Sequence, residues 1–427
     1  MSNNDAPVLK SAPERNYGID LLKIVAMLFV CILHVCNYGG ISSKSLTENF
    51  PDNHKLIIFL QALTYCAVDV YAMVSGYLGY NKKFKLSRPV MIWLELVFYT
   101  VLGTLLTTIF FKDQLPENAW FKSLMPIMNK EYWYVSAYIG MVVLMPLLNV
   151  IIQKARTKTI GFVLGGVLVL YCALPTFLDV SAFGLGSGYS TLWLCVMYIA
   201  GGFFAKIKKP HPLITSAIFV ASVMLTWLLK LNDVSTVFKY TSPTVVITAS
   251  ALVLTFSQIK IKGKFAQKAV SFVAISTFGI YLIHVHAFFW DNFLKNIAKN
   301  YAKSNVFVLC IMILLYAAAI FVGAFIIDVV RRGIFWVLHL KPLLQKLDKL
   351  LEKLFGDKKE TLPESVPADG PAPESDAPAP EIDAPVSESD APVSENDAPV
   401  SESDAPAPES DAPAPESDAP ADEDKKE

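Results

Sequence analysis

The 427-residue chain is 53% hydrophobic and carries a formal net charge of −1. Long apolar runs through the first 330 positions exclude an ordinary soluble domain, and nucleic acid is not an expected partner. The near-neutral charge hides an asymmetry: residues 360–427 hold 21 of the 38 acidic side chains and only two of the 37 basic ones, so the body is basic and the tail acidic.

The expected fold is all-α: a polytopic helical membrane protein with about ten transmembrane helices, followed by an amphipathic helix and a disordered tail. Only helices and closed barrels satisfy their backbone in lipid. Residues 1–14 are polar and expected to be cytoplasmic, and the first apolar run that follows has no small-residue cleavage site, so it reads as a retained span.

That first run, Asp20 to His34, contains Asp20, Lys23 and His34. At about 100° per residue, Lys23 and His34 fall on one helix face, with Asp20, Met27 and Cys31 near the same stripe. Eleven residues at about 1.5 Å each separate the cation from the imidazole by roughly 16 Å. Lys23 alone reads as a cation snorkelling to the interface. An aligned cation and imidazole inside a span reads as function, because ionisable groups there are expensive.

Apolar segments predict further spans near 56–80, 89–111, 132–152, 159–177, 188–205, 211–229, 241–257, 269–290 and 305–329, with the first at 19–37. The loops after even spans hold 14 bases and no acids, whereas the opposite loops hold 10 bases and 8 acids. By the positive-inside rule the first set, and both termini, face the cytoplasm. The polar residues then sort by depth. Asp20, Lys23, Ser75, Arg88 and, deeper, Glu95 lie toward the inner face. His34, Glu131, Trp133, Tyr134, His284 and His286 lie toward the outer face, with Asp69 between them. Arg88 also fits a positive-inside anchor, and Trp133 and Tyr134 fit an aromatic belt. Asp69, an acid in mid-span, needs a partner.

The six cysteines lie in apolar runs without metal-ligand spacing and read as packing residues, so no metal is expected. Residues 331–359 carry leucines 343, 344, 347, 350, 351 and 354 with lysines 346, 349 and 353 between them, the pattern of a basic amphipathic helix on the inner surface. From Asp376 an Asp-Ala-Pro unit recurs every seven residues, and proline in each copy excludes a coiled coil. The tail from 360 to 427 is expected to be disordered, with an unknown partner.

Two layers of polar groups suit a chemistry joining two compartments: a cytoplasmic anionic donor at the basic inner layer, and a histidine at the outer end to take a proton from a hydroxyl. Four stretches sharpen this. Gly18-Ile-Asp-Leu-Leu-Lys23 followed by ten residues and His34, Met73-Val-Ser-Gly-Tyr-Leu78, Tyr132-Trp-Tyr134 with Leu144-Met-Pro-Leu-Leu-Asn149, and Phe278-Gly-Ile-Tyr-Leu-Ile-His284 together resemble the family-3 membrane acyltransferases. These polytopic enzymes O-acetylate cell-surface glycans, and the resemblance covers roughly residues 15–330.

The resemblance implies an O-acetyltransferase with acetyl-CoA as co-substrate, the lipid bilayer and a cell-surface glycan acceptor as partners, and a multi-pass location in the cell membrane. It gives His34 the catalytic role, as general base or transient acyl carrier, and Lys23 the basic position of the pair. Asp69 and His284 join His34 as catalytic candidates, Arg88 and Ser75 join Lys23 for the donor, and Glu131, Trp133 and Tyr134 stand on the acceptor side. One departure is the single Arg88 after span two, where family members often carry more arginines; lysine lacks the bidentate fork. A transporter or flippase of envelope precursors is the alternative, although no paired repeats or matched broken helices mark one. A membrane-anchored docking protein acting through its tail would leave His34 dispensable.

Overall fold

The computed structural model describes residues 15–42, 49–128, 132–178 and 185–355. The expectations for the polar N-terminus and for the acidic tail lie outside these residues. The described chain belongs to one unit that reaches Lys358, and it is helical with no strand among the described residues.

α1 (Tyr17–Tyr38) begins where Asn16 turns extended and its Oδ1 accepts the Ile19 amide, a side-chain N-cap. The same side chain donates to the Ser257 carbonyl at 2.9 Å, pinning the start of α1 to the end of a distant helix. α2 (Pro51–Thr64) opens on a proline, whose missing N–H costs nothing in a first turn, and runs through a break at Tyr65–Cys66 into α3 (Ala67–Gly79). α4 (Ser87–Phe110), α5 (Trp133–Lys154) and α6 (Thr157–Val167) follow. The last of these continues through a π-helical segment to Leu178. Next come α7 (Thr191–Lys206), α8 (Pro212–Leu231), α9 (Pro243–Phe256), α10 (Lys264–Ala274) and α11 (Thr277–Val285), then α12 (Val306–Val337) and α13 (Leu340–Phe355).

Eight of the resulting rods are long and apolar enough to cross a membrane. α7 and α9 are the two expected spans that fall short, with 16 and 14 residues. At about 1.5 Å per residue they reach roughly 21–24 Å against a hydrocarbon core of about 30 Å. Both are enclosed by protein: Trp193, Leu194 and Tyr198 of α7 and Val245, Ala249 and Val253 of α9 are all buried. A helix shielded by neighbours need not match the bilayer thickness by itself.

α1 and the α2–α3 rod form the centre, 61% and 67% buried over their apolar windows, while α12 at 17% lies at the edge. α1 packs against α2, α3, α9, α10 and α12. α3 and α7 approach closely because Gly76 and Gly201 face each other's backbone: a Cβ on Gly76 would strike the Tyr198 carbonyl, and one on Gly201 the Met73 carbonyl. Small residues at such a crossing are how membrane helices gain contact without a hydrophobic drive between them. Asn149 of α5 then donates to the Gly79 and Lys82 carbonyls, closing the end of α3, and accepts from the Tyr198 hydroxyl at 2.8 Å.

α12 carries on past the expected end of the last span, through Arg331 and Arg332, to Val337. α13 is docked rather than free. Asp348 accepts from the Ser87 amide at 2.9 Å and from its hydroxyl at 2.5 Å, so it caps the first turn of α4 from another helix. Burial by itself would raise the Asp348 carboxyl, but the two Ser87 hydrogen bonds, with Lys85 and Arg88 nearby, hold it below the usual carboxylate range.

Candidate active site

A cavity of about 690 Å³ opens along α1, within the size range of small-molecule sites. Its α1 wall is the stripe Lys23, Met27, Val30 and His34, continued by Tyr38. These positions step by three or four residues, so one helical face meets the cavity. Cys31, expected near the stripe, is fully buried and belongs to the packing side. α3, α4, α5 and α10–α11 close the remaining walls.

At one end His34 Nδ1 lies 3.0 Å from Nε2 of the buried His284. His284 Nδ1 in turn lies 2.7 Å from the Ile280 carbonyl. A carbonyl only accepts, so His284 Nδ1 carries the proton and donates it there. The neutral His284 is then left with an acceptor at Nε2, and His34 must donate from Nδ1. That assignment, drawn from the hydrogen-bond network, leaves Nε2 of His34 with a free lone pair. Trp290 packs edge-on against His34 with ring centroids 5.3 Å apart, and Tyr38 against Trp290 at 4.4 Å. Each helps fix the imidazole plane.

At the other end Lys23 Nζ is 3.1 Å from Asp20 Oδ1, and Arg15 Nε is 2.6 Å from Asp20 Oδ2. Two cations thus share one carboxylate, leaving a net positive end. The Tyr71 hydroxyl donates to the Lys23 backbone carbonyl at 2.6 Å, fixing α3 against α1 at this depth.

The remaining candidates divide. Ser75 lines the cavity, donating to the Tyr71 carbonyl and meeting the Tyr138 hydroxyl at 3.1 Å. Trp133 and Tyr134 also line it. Trp133 stacks on Tyr240 with centroids 5.7 Å apart, and Tyr134 is buried with its hydroxyl unpartnered among the described residues. Asp69 does not pair with His34: fully buried, it accepts from Trp193 Nε1 at 2.8 Å and is absent from the cavity wall. The place at His34 expected for an acid is taken by His284, because α11 rather than α3 presents its side chain to that end of α1. Arg88 is exposed at the start of α4 and does not reach the cavity lining. Glu131 lies outside the described residues. Among the described residues no three His, Cys, Asp or Glu side chains converge as a metal site.

Sequence reasoning missed three things. Trp290 carried no signal beyond an aromatic near a span end. In the sequence Glu95 reads only as an acid toward the inner face, whereas in the structure it lines the cavity. Its partner Arg331, together with Asp328, forms a buried ion cluster on α12. The signal was present there: an acid and an arginine three residues apart on one helix face, inside an apolar run.

The profile of an acyltransferase domain matches residues 16–329. The chain belongs to the family-3 acyltransferases. No curated protein and no solved structure matches it. The match covers α1 to nearly the end of the last span and stops short of α13, so both ends of the cavity lie within the acyltransferase domain.

Proposed function

We propose that this membrane acyltransferase moves an acetyl group from cytoplasmic acetyl-CoA to a hydroxyl of an extracytoplasmic polysaccharide or envelope glycan. The observation that carries the reading is the His34–His284 pair at one end of a single cavity whose other end holds Lys23. An anionic donor entering at Lys23 meets net positive charge, and a thioester arm pointing along α1 runs toward His34.

His34 acts as the general base. Its Nε2 takes the proton of the acceptor hydroxyl as that oxygen attacks the thioester carbonyl; the C–S bond breaks, and the leaving thiolate takes the proton back. The imidazolium formed in between keeps its Nδ1–H on His284 Nε2, so His284 orients the ring as the third group of a triad orients its base. Trp290, Trp133 and Tyr240 offer aromatic faces near the histidine end for a sugar ring. The bias of basic residues toward the loops after even spans supports an orientation with the Lys23 end and both termini on the cytoplasmic side of the cell membrane.

The reading is tested by mass analysis of surface glycans from cells lacking the protein and complemented with wild type or His34→Ala. Acetyl groups should return with wild type and stay absent with the variant. Identical glycans in all three strains would refute it.

A further inference from the structure

Glu95 is an acid inside a span, eight residues into α4, and therefore roughly 12 Å along it. Lys23 lies six residues into α1 and His34 seventeen, roughly 9 and 26 Å along that helix, and all three side chains line the same cavity. Its Oε1 is held at 3.0 Å by Arg331 Nη1. Arg331 is itself fixed: Nε and Nη2 reach Asp328 Oδ1 at 2.9 and 2.8 Å, and the Tyr99 hydroxyl donates to the same oxygen at 2.6 Å.

One guanidinium thus serves two acidic side chains in a low-dielectric setting. Asp328 Oδ2 is closed off without a partner among the described residues. Glu95 differs: it lines the cavity, keeps 17% of its side chain exposed, and meets Arg331 through its Oε1. A carboxylate oxygen held still by a buried arginine and turned to a cavity is an acceptor awaiting an N–H or O–H.

We propose that Glu95 accepts a hydrogen bond from an amide N–H of the acyl donor's pantetheine arm, an inference that rests on the acyl-CoA reading above. Between a phosphate-bearing head at the Lys23 end and a thioester at His34, such an arm runs through the cavity that Glu95 lines, and its amides are its N–H donors. The contact would set which thioesters the site accepts: those with an amide at the right distance from sulfur.

The test compares acetyl-CoA with two analogues in which one or the other arm amide N–H is replaced by an ester oxygen, using the full-length protein in lipid nanodiscs. For wild type, one analogue should lose about 10- to 100-fold in kcat/KM, the range for a hydrogen bond to a charged group. Glu95→Gln keeps a carbonyl for Arg331 and should fold. In that variant the gap between acetyl-CoA and the sensitive analogue should shrink several-fold. Equal use of all three donors by wild type would overturn the proposal while leaving the acyl-CoA reading intact. An unchanged gap in Glu95→Gln, with all rates reduced alike, would also overturn it and leave Glu95 as a structural partner of Arg331. No transfer from acetyl-CoA by wild type would overturn the donor reading, and the proposal with it.

Discussion

His34 and His284 meet nitrogen to nitrogen at 3.0 Å, although 250 residues separate them in the chain. Because the Ile280 carbonyl accepts the Nδ1–H hydrogen bond on the far side of His284, the pair is polarised in one sense, and His34 keeps its outer nitrogen free. His34→Ala should lower acyl transfer by about 10²–10⁴-fold, the usual loss for a general base. His284→Ala removes only the orienting partner and should cost roughly 10- to 100-fold in kcat, with the donor KM unchanged. Steady-state rates of well-inserted purified variants decide it; near-normal turnover in His34→Ala would end the catalytic assignment.

Lys23 should act on the donor rather than on the chemistry. Asp20 retains Arg15 when Lys23 is truncated, so α1 keeps an ion pair at that end and Lys23→Ala should insert normally. The apparent KM for acetyl-CoA should rise by roughly ten-fold or more, the weight of a charged hydrogen bond, with kcat little changed. Lys23→Arg should keep most of the activity. Rates measured across acetyl-CoA concentrations separate these outcomes, and an unaltered KM in Lys23→Ala would remove the donor role.

Arg331 is 4% exposed and balances both Glu95 and Asp328. Arg331→Ala would strand two carboxylates, and breaking a buried pair by removing one partner costs about 3–5 kcal/mol. We expect a large fall in thermal stability in detergent. The double variant Arg331→Met with Asp328→Leu should recover a substantial part, since it also removes a stranded charge. Equal melting temperatures for wild type and Arg331→Ala would show the cluster to be energetically idle.

Docking of α13 should weaken in acid. The Asp348 carboxyl is held below its ordinary value in the folded protein. Its contribution is therefore present above the unfolded aspartate pKa, about 3.9, and lost as pH falls through the lower folded value. Hydrogen exchange of the α13 amides should accelerate over that acidic window. In Asp348→Asn it should be faster already at neutral pH. Exchange rates in wild type that follow only the intrinsic pH dependence would show that the Ser87 contact does not hold the helix.

Much of this protein follows from local pattern. Apolar length and composition give the helical spans, and the 3.6-residue period alone puts Lys23 and His34 on one face, where the structure has them lining one cavity. Even the motif glycine Gly76 has a local cause that a sequence hints at, since a residue without Cβ in an apolar helix marks close approach. What the period leaves open is which face meets which.

Only tertiary packing decided that α11 brings His284 to His34 while Asp69 turns to Trp193, and that Glu95 on α4 meets Arg331 on α12. It also seated α7 and α9, too short to span by themselves, among longer neighbours. The physical reason is that a helix states its own faces through covalent geometry. The pairing of faces is set by side-chain volumes, backbone approach and buried polar satisfaction, and these are summed over residues hundreds of positions apart.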